Sequence, residues 1–318
     1  MYRTYIPRDD NYLNRLREVV FIKYKLDAIS ITPAKRGYYG ETWRLETLDN
    51  RYFVKLDYFL RHQTIFRNSL PVVEYLCNNG IDFINNIIKT CDDELYTAFD
   101  SAILGVFEWI DGENMETDET KAPEYQMLCE VYRISKQGFD IPMAEFSDNA
   151  AVRFYEKWDQ LKIAPKNKAT DSVLLILEQY KERLNHCFAR LTYVSQICRM
   201  ETSDLYLTHG DAGGNFLVQN NRFHIVDWDE VMYAPIERDA WVMSCHDWAV
   251  KLFNDTLNRS GIPYILRAER LGFYCYHMFF HYLNEFFEDF ASHGQTHEIE
   301  KYFSESWIWE RIQFADTI

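Results

Sequence analysis

His209-Gly210-Asp211-Ala212-Gly213-Gly214-Asn215-Phe216-Leu217-Val218 leads through a short turn to Phe223-His224-Ile225-Val226-Asp227-Trp228-Asp229. Two short apolar runs around a polar turn predict a hairpin. Asp211 precedes its first strand, Asn215 stands at the entry, and Asp227 ends the second strand. A hairpin brings its two ends together. Two carboxylates and an amide then fall within reach of one divalent cation and one hydroxyl. Oxygen donors of this kind, with water and phosphate, suit Mg2+. A single Asp or Asn here is more often a turn residue. The three together, at this spacing, point to a site.

Upstream of the hairpin, Leu13, Leu16, Val19, Val20 and Leu26 predict an amphipathic helix over 11–28. Residues 29–57 read as a three-stranded antiparallel meander. Gly37-Tyr38-Tyr39-Gly40 lies in its first turn and Val54-Lys55-Leu56 on its third strand. Leu60, Ile65, Leu70, Val73 and Leu76 predict a helix over 59–79, stopped by Asn78-Asn79-Gly80. Two more strands are expected over 84–90 and 96–109. The pattern changes at Asp111-Gly112, and 119–201 reads as mostly helical with a loop over 162–170. Downstream of the hairpin, helices are expected over 237–259, 263–292 and 296–313. The whole reads as an α+β chain with a β-rich front and a helical remainder.

The chain has 318 residues, 47% hydrophobic and 26% charged, enough apolar content for a sizeable core. Aromatic residues make up 16%, a share explained by packing between helices or by stacking on a flat ligand. The formal net charge of −15 excludes general nucleic-acid or anionic-lipid binding and leaves room for a local basic pocket. No run approaches the roughly 20 apolar residues of a membrane helix, so no membrane partner is expected. The start shows no signal-peptide pattern. The seven cysteines contain no Cys-x-x-Cys pair and read as free thiols of a reducing cytoplasm. No protein partner is evident.

His209-Gly210-Asp211…Asn215, Val226-Asp227-Trp228-Asp229 and Pro235-Ile236-Glu237-Arg238-Asp239-Ala240-Trp241, in that order, resemble the aminoglycoside phosphotransferase and choline kinase-like family. The resemblance is nearest to the branch of spectinomycin and related aminoglycoside kinases. That family has the protein kinase-like fold. The resemblance therefore implies a small antiparallel nucleotide-binding lobe over 1–110 and a larger, mostly helical catalytic and substrate lobe over 111–318. It implies that Asp211 is the catalytic-loop aspartate beside the acceptor hydroxyl. Asn215 and Asp227 would hold Mg2+ on the phosphates of ATP. Lys55 would grip those phosphates, and Glu74, the carboxylate in the following helix, would pair with Lys55. Gly37 and Gly40 would let the first hairpin approach the phosphates, and the segment from Glu108 to Ile110 would hold the adenine. The family usually has four residues between the catalytic Asp and the Asn, whereas this chain has Ala212-Gly213-Gly214.

The implied activity is transfer of the ATP γ-phosphate to a hydroxyl of a small acceptor. The acidic chain suits a cationic, aminoglycoside-like acceptor; choline, a sugar or an amino-alcohol are alternatives. Glu285, Glu288 and Asp289 read first as a solvated helix face and second as an acidic wall for such a cation. A non-catalytic nucleotide binder is a further alternative, supported by the short loop alone. His277 and His281, one helical turn apart, read as packed side chains because Phe279, Phe280 and Tyr282 surround them.

Overall fold

The computed structural model describes residues 8–34, 40–115, 117–165, 167–201, 204–220, 222–293, 299–304 and 306–318. The chain divides into two compact units, 1–142 with 207–233, and 143–206 with 234–318.

In the first unit α1 (Asp10–Tyr24) starts where the Asp9 side chain accepts the Tyr12 amide. It buries Tyr12, Leu16, Val20 and Tyr24 at helical spacing. The expected meander forms as β1 (Ser30–Pro33), β2 (Gly40–Glu46) and β3 (Arg51–Asp57). After α2 (Leu60–Asn78) come β4 (Ile87–Ile88), β5 (Thr97–Phe99) and β6 (Ala102–Glu108). The sheet order is β1-β2-β3-β6-β4, with β5 also paired to β6, and every pairing is antiparallel. The single strand expected over 96–109 is thus two. Asp100 takes a left-handed φ of 51°, which a short polar side chain tolerates, and folds Phe99 back opposite Ala102.

Side-chain alternation along the strands gives this sheet two faces. Val54, Leu56, Leu104 and Val106 face Leu16 and Val20 of α1. Ile103 and Phe107 face Phe66 and Leu70 of α2. Each such side chain contributes about 1.5–3 kcal/mol of apolar burial. Lys55, one residue out of step with Val54 and Leu56, lies on the α2 face, its ammonium 5.6 Å from the Phe66 ring centre.

The unit continues through β7 (Glu113–Asn114) and α3 (Lys121–Arg133), then β8 (Tyr206–Thr208). The expected hairpin forms as β9 (Phe216–Gln219) and β10 (Arg222–Ile225), and β7 joins it as a third strand. A 3₁₀ turn, Trp228–Glu230, follows and leads into β11 (Met232–Ala234), which pairs with β8.

The second unit is helical: α4 (Asn149–Ile163), α5 (Lys168–Gln179), α6 (Lys181–Met200), α7 (Glu237–Met243), α8 (Asp247–Arg259), α9 (Ala268–His293) and α10 (Trp307–Ala315). Helices α4, α6, α7 and α10 all pack on α9. Tyr276, Phe279, Phe280 and Leu283 of α9 are wholly buried. Phe154 of α4 lies 5.5 Å from both Phe280 and Phe287, ring centre to ring centre, so much of the aromatic share is helix packing.

Helices are interrupted where the sequence pattern ran on. Residues 134–148 are not helical; Gly138 has φ 113° and Pro142 lacks an amide proton. The helix expected from 263 begins at Ala268, because side chains elsewhere take the preceding amides. Asn254 accepts from Leu266, and Glu237 accepts from Arg267. The helix expected over 237–259 is broken between α7 and α8, and Asp247 opens the second piece as the dipole favours. Among the described residues no helix is long and apolar enough to cross a membrane.

Candidate active site

The segment between β8 and β9 is organised by His209, which is fully buried. Its Nε2 donates to the Val226 carbonyl at 3.0 Å, and its Nδ1 accepts the Asp211 amide at 3.2 Å. One neutral tautomer satisfies both bonds. The ring thereby ties Asp211 to the end of β10, next to Asp227. Gly210 has φ 82°, and a Cβ there would stand 1.9 Å from the Glu230 carbonyl oxygen. Only glycine fits.

Asn215 closes the loop. Its Nδ2 donates to the Asp211 carbonyl at 2.8 Å and to Asp211 Oδ2 at 3.2 Å. The amide oxygen is then the end left to act as a cation donor. Val226 donates its amide to the Asn215 carbonyl at 3.0 Å, so Asn215 and Asp227 flank one ladder bond. Gly213 and Gly214, at φ 83° and 81°, turn the chain within three residues.

Lys55 is 7% exposed. Its ammonium donates to Asp227 Oδ1 at 2.6 Å and to Asp229. Burial alone would lower the Lys55 pKa, but the two carboxylates outweigh it and hold the ammonium above its usual range. For Asp227 burial pushes upward, yet Lys55 beside it leaves the carboxyl below its ordinary value. Burial pushes Asp229 up to about 6, against the pull of Lys55 and with the repulsion of Asp227. Asp227 has φ 66° and ψ 56°, a left-handed backbone that costs an L-residue roughly 1–2 kcal/mol. It persists because Lys55 and the ladder bond before it hold both sides of the residue.

Glu74 does not join this group. Its carboxylate binds Lys89 Nζ at 2.7 Å, so the expected Lys55–Glu74 pair is not formed. Leu70 and Val73 face the sheet. Glu74, one residue further on, is rotated about 100° from the buried Val73. The first turn of α2 contributes instead. His62, 5% exposed, binds Asp57 through Nδ1 and stands 3.4 Å from Glu230 through Nε2. Asp57, His62 and Glu230 received no role from the sequence. A signal was there: His62 opens a helix, where a cation is unfavourable.

Gly40 opens β2 opposite Asp57, where a Cβ would come within 2.8 Å of the Leu56 carbonyl oxygen. Gly37 lies outside the described residues. Glu108 is exposed and accepts from Asn86 at 3.0 Å, while Ile110 is half-buried. The segment 108–111 is fastened to β3. Asp111 accepts from the Trp109 indole and from Arg51, each at 2.8 Å. Beside Lys55 lies a small cavity of about 20 Å³, lined by apolar Phe53, Leu70, Val73 and Phe107 and by charged Lys55, Asp227 and Asp229.

In the helical unit, Glu237 is fully buried, accepting the Tyr264 hydroxyl at 2.5 Å as well as the Arg267 amide. His277 stacks on Phe273 at 5.2 Å, and burial lowers its pKa to about 3, so it is a neutral packed ring. Glu288 stands 3.4 Å from Lys157. The Asp289 side chain lies outside the described residues.

A family model described as the phosphotransferase enzyme family matches residues 30–270. No curated protein sequence matches the chain significantly. Among solved structures, a spectinomycin phosphotransferase in complex with ADP and spectinomycin is similar, at 18% identity and a TM-score of 0.77, covering 95% of this chain and 98% of that one. An amicoumacin kinase in complex with AMP-PNP and Ca2+ has 12% identity and a TM-score of 0.61, over 98% and 94% of the two chains. A choline kinase from Streptococcus pneumoniae has 14% identity and a TM-score of 0.58, over 97% and 98%. The fold is the two-lobed protein kinase-like one, with an antiparallel sheet lobe and a helical lobe.

Proposed function

Because this chain belongs to the phosphotransferase enzyme family, we propose that it moves the γ-phosphate of ATP, held with Mg2+, to a hydroxyl of a small cationic acceptor. The carrying observation is the pairing of Lys55 with Asp227, one ladder bond away from Asn215 and tied through His209 to Asp211. A buried lysine and a carboxylate at one small cavity, with Asn215 one ladder bond away, suit the phosphates of a nucleotide. Asn215 and Asp227 are hard oxygen donors and fit Mg2+ shared with phosphate. Bound there, the ion supplies neutralisation of phosphate charge.

Lys55 holds the phosphates once they displace its carboxylate partners. Asp211 orients the acceptor hydroxyl and takes its proton. Asn215 keeps Asp211 in place through its Nδ2 bonds. Gly40, with Gly37, admits the phosphates, and the backbone of 108–110 receives the adenine. Glu74 belongs to this proposal only as a brace of α2 through Lys89. The nucleotide role falls to 1–110, and the catalytic and acceptor role to 111–318.

A cationic acceptor suits the net charge of −15, which draws amines and repels anions. The similar structures named for spectinomycin and choline favour the same class. Dependence on ATP, and seven cysteines that are all free, suit a reducing cytoplasm. The test is a nucleotide-consumption screen with Mg2+ against aminoglycosides, choline, sugars and amino-alcohols. Turnover with an amine is expected. A neutral sugar used far better than any amine would overturn the acceptor class and keep the phosphotransferase.

A further inference from the structure

The first turn of α2 carries a cation where a helix favours an anion. His62 is the third residue of that helix. Three carboxylates from two other elements enclose it. Asp57, at the end of β3, binds Nδ1. Glu230 and Asp229, on the 3₁₀ turn, stand 3.4 Å and 3.9 Å from Nε2. Asp57 is fully buried and also accepts the Phe59 amide at 2.8 Å, so one carboxylate fixes both the helix start and the imidazole. Asp229 in turn binds Lys55, and Lys55 binds Asp227. A single line of charges, Asp57, His62, Asp229, Lys55, Asp227, thus joins β3, α2 and the turn that follows Asp227.

We infer that His62 is a positioning residue of the nucleotide site, fastening α2 to the Trp228–Glu230 turn and giving Asp229 a second cationic partner so that Lys55 can leave it for phosphate. The inference rests on the phosphotransferase reading. Burial opposes the charge on His62, but its hydrogen bond to Asp57 and the carboxylates of Glu230 and Asp229 beside it overcome this and raise the pKa to about 9, so the ring is an imidazolium near neutrality.

The reason such a partner matters is the exchange Lys55 must make. Its present partners are Asp227 and Asp229. When phosphates take the lysine, Asp229, 8% exposed, would be a buried carboxylate with its cation withdrawn. That loss would count against nucleotide binding. His62 keeps a cation beside Asp229 throughout. Helix α2 therefore acts with reversed polarity. Instead of giving a carboxylate to the lysine, it gives a cation to the lysine's carboxylate.

The experiment is calorimetric titration of the full chain with Mg·AMP-PNP, a probe that needs no acceptor. The parent binds. His62→Gln should bind about tenfold or more weakly, as expected when a buried charge loses its partner. His62→Lys, which restores the cation, should stay within about threefold of the parent. Rescue by lysine distinguishes a charge role from mere filling of space. Glu230→Gln removes only the outer partner, leaves Asp57 on the helix start, and serves if His62→Gln does not fold. It should weaken binding by about threefold. Unchanged binding in His62→Gln or Glu230→Gln overturns the inference, as does equal weakening by the Gln and Lys variants at His62. A parent chain that does not bind Mg·AMP-PNP overturns the phosphotransferase site itself, and this inference with it.

Discussion

Residues set this site through backbone positions that few side chains tolerate. Gly210 faces the Glu230 carbonyl so closely that a methyl group would overlap it, and its φ is positive as well. Gly210→Ala should therefore destabilise the fold by about 3 kcal/mol or more, through overlap and a strained φ together. Chemical denaturation checks this; a loss under about 1 kcal/mol would mean the loop can move aside. His62 gives a pH signature. Asp57 faces it from β3, and Asp229 and Glu230 from the 3₁₀ turn. Its folded pKa, about 9, is raised above the ordinary 6.5. The stability it contributes is fully present below 6.5 and is lost as pH rises through about 9. The stability gap between the parent and His62→Gln should narrow steadily from pH 6 to pH 9.5 in matched melts. A gap that stays constant contradicts the imidazolium.

Elements explain what the sequence could and could not disclose. The β9–β10 hairpin was legible because two apolar runs around a polar turn allow little else, and it carries Asn215 with Asp227 close behind. Lys55 was legible from its place on the third strand of the meander. Its partner was not. Sequence order puts Glu74 on the right helix, but the helical rotation between Val73 and Glu74 decides which faces the sheet, and apolar burial wins. Asp229 and His62 pair across long sequence separations, and nothing local announces such contacts. The break in strand 96–109 and the late start of α9 have the same cause. A left-handed Asp100 and side-chain acceptors on other elements override the local pattern. Since Glu74 serves Lys89, Glu74→Gln should leave Mg·AMP-PNP affinity within about twofold, the modest effect of a half-exposed pair. A tenfold loss by calorimetry would restore it to the phosphate site.

At the scale of the whole molecule, the fold and family together give a phosphotransferase, and the net charge of −15 is the basis on which a cationic acceptor is proposed. Residue types alone marked the donors proposed for metal and phosphate, because that chemistry is local. The acceptor was not legible, because an acceptor pocket is made of side chains from many helices and no spacing encodes it. A nucleotide binder without transfer is the reading the short loop alone would favour, but Asn215 reaches back to Asp211 within that loop. Asp211→Asn separates the two. The most direct measurement pairs phosphate transfer, on whichever acceptor the screen identifies, with Mg·AMP-PNP affinity, in the parent and in Asp211→Asn. Loss of a positioned base costs typically about 10²–10⁴-fold in rate, so transfer should fall by that much while nucleotide affinity changes by less than about threefold. Transfer by the Asn variant at the parent's rate, or a parent that binds Mg·AMP-PNP and transfers to no acceptor in the panel, would contradict the assignment of Asp211 as the base of a working phosphotransferase.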